Sequence, residues 1–403
     1  MPLTAGIAAA DLTPPAGSII ACFPDRSGEQ PRPRLAEGAH DPLEARVLAL
    51  YDGEQHVTLC ALDLPGIRRG DVDRIRERVA QQAPELSGPG LVLACSHTHS
   101  GPDTLYLFGG SPEDPWIDEM VEAVADAVLQ AHASRVPASL RMGITPLALN
   151  HNRRSVGPDG VMRLVNEHES DVTEGPVDPD LTVLRVDALE GGPLAVAFHF
   201  TAHSLTLGPG NMRFSADYPG VARSVIDEAL RGATSLFLNG AAGNVHPREC
   251  MRPDRRATEV IGGLLGGSAV ALAQADLNLV TEPTLEAASR TLTFANRMDP
   301  SLEVAVQVGC VRIGPLVMGV VPGEYFVEFQ LRFRRRVDAK FATLIGYANG
   351  WPGYIPTRES YDEGGYGVDA YVGDPPELSR TCLPPGAGET ILDALVELAG
   401  QVG

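Results

Sequence analysis

The chain has 403 residues, of which 44% are hydrophobic, 52 are acidic and 32 are basic, so its formal net charge is −20. This charge disfavours nucleic acid and anionic membranes as partners, and no segment has the ~18 uninterrupted apolar residues of a membrane span. The first residues, MPLTAGIAAADLTPP, lack the basic and apolar regions of a signal peptide. The expected location is therefore the cytoplasm.

Short apolar runs bounded by Gly, Pro, Asp or Asn predict seven buried strands. In chain order these runs are 45–51, 57–63, 91–95, 194–200, 235–238, 316–321 and 341–347. Apolar residues at helical spacing predict four helices between them. The helices are expected at 71–81, 117–128, 219–232 and 257–275. This alternation predicts an α/β fold with a mixed, partly parallel sheet flanked by helices.

No low-complexity linker divides the chain, so a single domain, 1–403, is predicted. After about residue 283 the sequence becomes richer in strand-like runs, which leaves a division into the lobes 1–283 and 284–403 open. The polar stretch 153–180 contains Gly, Pro and acidic residues, and it predicts a long excursion or a small antiparallel flap. Whether this stretch covers a site as a lid is left open.

Five predicted strands are each followed by a turn that carries a side chain able to bind a metal. The turns read SHTHSGP, TAHS, NGAAGNVHP, PGE and ANGWPGY, and their candidates are His97, His99, His203, His246, Glu324 and Tyr354. Sites in open α/β sheets form beyond the carboxyl ends of the strands, so we expect these side chains to converge there. Their nitrogen and oxygen atoms suit zinc or a similar divalent ion. Each of these residues could instead have an ordinary structural role. Glu324 could cap a helix, for example, and Tyr354 could be a buried aromatic residue.

These motifs, taken in order, resemble the neutral/alkaline, non-lysosomal ceramidase family. The matching segments are AGIAAADLTPPAG, SHTHSGP, LNHNRR, DPDLTVLRVDA, HFTAHS, FSADYPG, NGAAGNVHP, VPGEYF and ANGWPGYIPTRESYDEGGYG. The resemblance implies the family's catalytic domain without its C-terminal immunoglobulin-like domain. It also implies one zinc ion held by His97, His203, Glu324 and Tyr354, with His99 next to the metal or the substrate.

One turn departs from the ceramidase pattern. His246 stands where the ceramidases have a serine important for activity, and Asn244 stands where they have an aspartate. The expected reaction is therefore hydrolysis of an amide bond in a small polar substrate rather than in ceramide, by a zinc-activated water. His99 and His246 are the candidates for acid–base catalysis. A zinc-dependent esterase or lactonase, and a non-catalytic metal- or ligand-binding relative, are the alternatives.

Four further residues are candidates for substrate binding. Arg153 and Arg213 could pair with a carboxylate or another anion, since arginine binds carboxylates in a bidentate way. Asn152 and Asn244 lie in the matching turns. The alternative for both arginines is a surface or loop-tethering role.

Two aspartates are candidates for supporting roles around the metal. Asp217 is expected to orient His203 or a backbone turn, because carboxylates commonly fix the tautomer of a ligand histidine. Asp63 ends a predicted strand and could join His99 and His246 around a second metal ion. The sequence leaves the substrate and the oligomeric state open.

Overall fold

The centre of the protein is a nine-stranded mixed sheet. The computed structural model describes residues 3–25, 32–157, 160, 162–165, 175–275, 277–281, 283–369 and 381–403. The strands of the large sheet are β1 (Thr4–Asp11), β4 (Glu44–Tyr51), β5 (His56–Leu62), β6 (Leu91–Cys95), β7 (Val136–Pro146), β11 (Asp180–Ala188), β12 (Gly192–Phe200), β13 (Thr234–Asn239) and β15 (Asn278–Leu279). Their order is β13-β12-β11-β7-β1-β4-β5-β6, with β15 paired to β7.

The two parallel strand pairs lie at the two ends of the large sheet. Strand β5 pairs with β6, and β12 pairs with β13, in parallel, whereas the other pairs are antiparallel. The sheet curls so that its two ends approach each other. Asn239 Nδ2 at the end of β13 donates to the carbonyl of Ser96, just beyond β6, at 3.1 Å. The turns that follow β6, β12 and β13 are therefore neighbours in space.

Both faces of the large sheet are buried. In β4, Val47 and Ala49 pack on one face, and Leu48 and Leu50 pack on the other. Because successive strand residues point to opposite faces, a strand covered on both sides reads as a continuous apolar run. The runs that predicted the strands are explained by this double coverage.

Four helices cover one face, and a second sheet covers the other. The helices are α1 (Arg69–Gln82), α2 (Pro115–Ala133), α3 (Asp217–Ala229) and α4 (Arg256–Gln274). The second sheet contains β16 (Leu285–Ala295), β17 (Glu303–Ile313), β18 (Leu316–Val320) and β20 (Phe341–Ile345). Its far side packs against α5 (Val327–Arg336) and α7 (Ala387–Gln401) around a third core cluster. The architecture is thus a layer of helices, two sheets and a further layer of helices.

Four short strand pairs shape the loops. They are β2 (Ile19–Asp25) with β3 (Arg32–Leu35), β8 (Asn150–Asn152) with β14 (Val245–Pro247), β9 (Arg154–Val156) with β10 (Met162–Leu164), and β19 (Glu324–Tyr325) with β21 (Tyr354–Ile355). A 3-10 helix (Pro84–Leu86) and the short helix α6 (Arg358–Glu363) complete the described elements. None of the described helices is both long and apolar enough to cross a bilayer.

The predicted α/β class is confirmed. All seven predicted strands and all four predicted helices are present, and β6 has the predicted bounds. The stretch 153–180 contains a small antiparallel hairpin, β9–β10, in its described part, while residues 158, 159, 161 and 166–174 lie outside the described residues. The single domain with two lobes as its alternative stays a prediction.

Candidate metal centre

His97 lies two residues beyond the end of β6. Its backbone is left-handed, with φ of +61°, and its amide donates to the carbonyl of Leu64 at 3.0 Å. The imidazole Nδ1–H donates to the carbonyl of Pro65. Because a carbonyl only accepts, Nδ1 carries the proton of the neutral ring, and Nε2 presents its electron pair to the neighbouring side chains.

His203 is held in the same way after β12. Its Nδ1–H donates to the carbonyl of Val245 at 3.0 Å, so its Nε2 is also unprotonated. The two histidine turns contact each other directly, since His99 N donates to the carbonyl of Ser204 at 3.1 Å. The side chain of His203 is fully buried.

Glu324 joins the histidines from the loop that follows β18 of the second sheet. It begins β19, opposite Tyr354 in the parallel pair β19–β21. Its Oε2 lies 3.1 Å from His203 Nε2 and 3.6 Å from His97 Nε2. Burial raises the pKa of Glu324, although His97 and Arg153 oppose this shift.

This arrangement fits a metal ion. His203 Nε2 and Glu324 Oε2 are both buried, and neither has a hydrogen-bond partner in the described structure. Such atoms are costly to bury unless a cation or a donor satisfies them. Tetrahedral zinc with bonds of ~2.0–2.1 Å holds its ligand atoms roughly 3.3 Å apart, which is close to the separations found here.

His99 completes a group of three histidines. The metal-binding atoms of His97, His99 and His203 lie within 4.8 Å of one another, and His99 Nε2 is 3.2 Å from His97 Nε2. The Nδ1 atom of His99 is buried without a hydrogen-bond partner in the described structure. Burial lowers the pKa of all three imidazoles, that of His97 to about 3, so the group is neutral and able to bind a metal at neutral pH.

Arg153 places a buried positive charge beside this group. Its Nη2 lies 3.7 Å from Glu324 Oε2 and donates to the hydroxyl of Tyr354 at 3.0 Å. Its Nη1 donates to His246 Nε2 at 3.0 Å. The predicted candidates from five separate turns therefore meet around one buried point.

Several predicted residues lie near the site but have other partners. Asn152 Nδ2 donates to the carbonyl of Pro176 at 2.8 Å, so it fixes the loop after β9–β10. Asn244 Oδ1 accepts from the amide of Val327 at 2.9 Å, which places it at the start of α5. Both asparagines hold backbone in place, so direct substrate binding by them stays a prediction.

The carboxylate of Asp217 accepts hydrogen bonds from the amides of Thr206 and Leu207, each at 3.1 Å. Asp217 therefore fixes the backbone turn after His203, and this is one of the two roles that the sequence predicted for it. It does not contact the imidazole of His203.

Two other candidates interact with groups outside the histidine cluster. Asp63 forms a buried ion pair with Arg223 at 2.6 Å. Its carboxylate is therefore engaged elsewhere, and the described residues offer no group including Asp63 for a second metal. Arg213 is exposed, and it lies near His40, whose pKa is lowered first by burial and then by Arg255 and Arg213.

Three aromatic residues of the site were not predicted. Tyr347 stacks on the imidazole of His97 at 4.2 Å between ring centroids, and Trp351 stacks on it at 5.5 Å. The hydroxyl of Tyr366 lies 3.3 Å from that of Tyr354, and its ring lies 4.5 Å from the guanidinium of Arg153. The available signal was the density of aromatic residues among glycines in GYANGWPGY and EGGYG.

The comparisons with known proteins point to one group. The chain is 27% identical over 175 residues to neutral ceramidase A of Dictyostelium discoideum, covering 40% of this chain and 24% of that protein. Neutral ceramidase B of the same organism is 25% identical over 171 residues, covering 39% and 23%. The match thus spans about a quarter of the length of these curated relatives. No protein-family model matches the chain.

Solved structures extend the likeness to the whole chain. A neutral ceramidase from Pseudomonas aeruginosa superimposes with a TM-score of 0.77 at 18% identity, covering 99% of this chain and 74% of that one. A ceramidase complexed with C2 gives a TM-score of 0.80 at 18% identity, covering 99% and 75%. The predicted resemblance to the neutral ceramidases is confirmed, and the fold is that of the solved ceramidases.

Proposed function

We propose that the chain, which resembles the neutral ceramidases in sequence and fold, is a zinc-dependent hydrolase. Its reaction would be the cleavage of an amide bond in a small polar substrate. The observation that supports this most strongly is the convergence of His97, His203 and Glu324, whose metal-binding atoms face one buried point. These three residues would hold one zinc ion, and Tyr354, the fourth ligand candidate from the sequence, is assigned to the substrate instead. When bound, zinc acts as a Lewis acid that activates water and polarises a carbonyl group.

Arg153 and Tyr354 are assigned to the substrate carbonyl oxygen. Burial raises the pKa of the Tyr354 hydroxyl, so it stays protonated at neutral pH without a metal and can donate a hydrogen bond. Arg153 Nε is buried without a partner in the described structure, so a donor of this guanidinium is free. Fixed donors in a buried site stabilise negative charge that develops on an oxygen during hydrolysis.

The two remaining histidines receive different roles. His246 Nε2 already accepts from Arg153, and burial together with that arginine lowers the pKa of His246. A protonated His246 would place two cations side by side, so we assign it to holding Arg153 rather than to donating a proton. His99 is the most exposed of the clustered histidines, at 8%, and we assign proton transfer to it.

The proposed substrate class rests on the turn in which this sequence differs from the ceramidase pattern. A bulky imidazole at His246, hydrogen-bonded to Arg153, occupies space that a serine would leave free. We therefore propose a substrate smaller and more polar than ceramide. A cytoplasmic location stays a prediction from the sequence.

The test combines metal content with a substrate panel. Elemental analysis of the purified protein should give about one zinc per chain, and the His97→Ala variant should lose it. Arg290→Met is the control, since Arg290 is partly exposed and pairs with Glu397 on the protein surface. N-acyl amides, esters and lactones are then offered to the zinc-loaded protein.

Hydrolysis of amides that disappears in His97→Ala supports the proposal. Selective hydrolysis of esters or lactones would replace it with the esterase alternative. Retention of zinc by His97→Ala would contradict the assigned ligand set. Two zinc ions per chain would contradict the single-metal assignment, and stable zinc without any hydrolysis would favour a non-catalytic relative.

A further inference from the structure

The loop that carries Tyr366 is rich in glycine, a residue whose backbone can adopt many conformations. In this loop, defined here as residues 363–367, Gly364, Gly365 and Gly367 adopt φ values of +66°, +77° and +88°. Glycine loses more conformational freedom on folding than any other residue. Three left-handed glycines around one tyrosine therefore need tethers from outside the loop to hold it in place.

Arg154 supplies such a tether. Its Nη1 donates to the carbonyl of Tyr366. Its Nη2 donates to the carbonyl of Gly364 at 3.1 Å and to the carboxylate of Glu363 at 3.1 Å. The side chain is 5% exposed, so these charged hydrogen bonds are shielded from water. One guanidinium thus contacts three of the five loop residues.

The neighbouring arginine holds the other side of the same tyrosine. The guanidinium of Arg153 lies 4.5 Å from the centre of the Tyr366 ring and donates to the hydroxyl of Tyr354. Successive residues in extended chain project in opposite directions, so Arg153 and Arg154 reach Tyr366 from different sides. Arg153 contacts its ring, and Arg154 holds its backbone.

We propose that Arg154 is a positioning residue that holds the 363–367 loop so that the Tyr366 hydroxyl meets that of Tyr354 at the metal centre. The effect of Arg154 on turnover rests on the proposed function, because Tyr354 is assigned there to the substrate carbonyl. The effect of Arg154 on the order of the loop is independent of the proposed function. The two parts are therefore measured separately.

The first measurement is hydrogen exchange of the zinc-loaded protein, read on peptides covering residues 360–369. The amides of Val368 and Asp369 donate to the carbonyl of Gly365 at 3.1 and 2.9 Å, so they report on the loop. Arg154→Met keeps much of the side-chain volume but removes the donors, and exchange should become roughly tenfold faster there. The control Arg290→Met should leave these peptides unchanged. Unchanged exchange in a folded Arg154→Met protein would overturn the proposal.

A milder variant covers the case in which Arg154→Met does not fold. Glu363→Gln removes the carboxylate that accepts from Arg154 and leaves both carbonyl acceptors. Exchange of the loop peptides should then increase by a few-fold. An exchange rate equal to that of the wild type would count against the tether.

The second measurement is a double-mutant cycle on turnover. If Arg154 acts through Tyr366, adding Arg154→Met to Tyr366→Phe should change kcat/KM by less than about twofold, although each variant alone lowers it. Independent effects that multiply would contradict the positioning role. A wild-type protein that hydrolyses none of the panel would remove the proposed function, while the exchange measurement would still decide whether Arg154 orders the loop.

Discussion

The rings of His97 and Tyr347 stack at 4.2 Å with an angle of 16° between their planes, and both residues adopt left-handed backbone, with φ of +61° and +55°. A non-glycine residue in this region typically costs of order 1–3 kcal/mol. The carbonyl of Tyr347 accepts from the amide of Cys95 at 3.1 Å, which ties the strained residue to the end of β6. The strained backbone of these two contacting residues lowers the stability of the fold, and in return the imidazole of His97 is held in one position.

The stack predicts different outcomes for two substitutions of Tyr347. Tyr347→Phe removes a buried hydroxyl that has no hydrogen-bond partner in the described structure, so the free energy of unfolding should change by less than about 1 kcal/mol. Tyr347→Ala removes the ring that supports His97 and leaves a cavity, so unfolding should become easier by about 3–5 kcal/mol. Chemical denaturation followed by circular dichroism measures both. A large loss of stability in Tyr347→Phe would show that the hydroxyl has a partner.

Removal of the Asp63 charge should separate stability from metal binding. The Asp63–Arg223 pair is buried, with side chains 2% and 3% exposed. Asp63→Asn leaves Arg223 with the more distant carboxylate of Glu44, at 3.8 Å, and breaking a buried ion pair typically costs about 3–5 kcal/mol. The melting temperature should fall while elemental analysis gives the same zinc content per folded chain. Loss of a zinc ion from a folded variant would instead place Asp63 among the ligands.

Asn244 should matter through helix α5. Its Oδ1 accepts from the amide of Val327, the first residue of that helix, and its Nδ2 donates to the carboxylate of Glu328 at 2.9 Å. Asn244→Ala leaves the buried amide of Val327 without this acceptor, so the free energy of unfolding should fall by about 1–3 kcal/mol. Asn244→Asp should retain the bond to Val327 but bring a second carboxylate to Glu328. An Asn244→Ala variant with unchanged stability in urea titrations would rule out this role of Asn244.

Stability should decline on mild acidification, partly because of His199. Burial lowers the pKa of His199 to about 4, although Asp178 opposes this shift. The unfolded residue titrates near 6.5, so between these values the unfolded chain binds the extra proton. The stability contributed by neutral His199 is therefore complete above about pH 6.5 and is lost as the pH falls toward 4, by on the order of 3 kcal/mol. Urea titrations from pH 7.5 to 4.5 test this.

A matched variant isolates the contribution of His199 from that of the metal centre. Its Nε2–H donates to the carbonyl of Leu344 at 2.8 Å, between the two sheets. His199→Gln keeps a donor but does not titrate, so the dependence of unfolding on pH should become shallower in metal-free protein. Equal slopes for the two proteins would mean that His199 does not contribute.

The sequence predicted the elements that are buried on both sides better than those that are exposed on one. Strand β6, LVLAC, is buried throughout, and its apolar run matches its bounds. In β16, LEAASRTLTFA, exposed and partly buried residues alternate along most of its length, so no continuous apolar run marks it. Helix α7 was also not predicted, although its buried residues recur at helical spacing.

The position of the site was predictable, but the partners of its residues were not. His97 and His203 were recognisable because each follows a strand that ends at one edge of the sheet. The role of Asn244 depends on Val327, and that of Asp63 depends on Arg223. These partners are far apart in the chain, and only the packing of α3 and α5 brings them together. Local sequence patterns carry no information on such pairs.

The candidate ligands come together only when both sheets have formed. His97 and His203 follow strands of the large sheet, whereas Glu324 and Tyr354 come from the loops of the second sheet. Contacts between residues so distant in sequence form late, because long loops must close first. A nascent chain that has made only the large sheet would hold two imidazoles and no carboxylate partner. Metal uptake would therefore report that both sheets have formed.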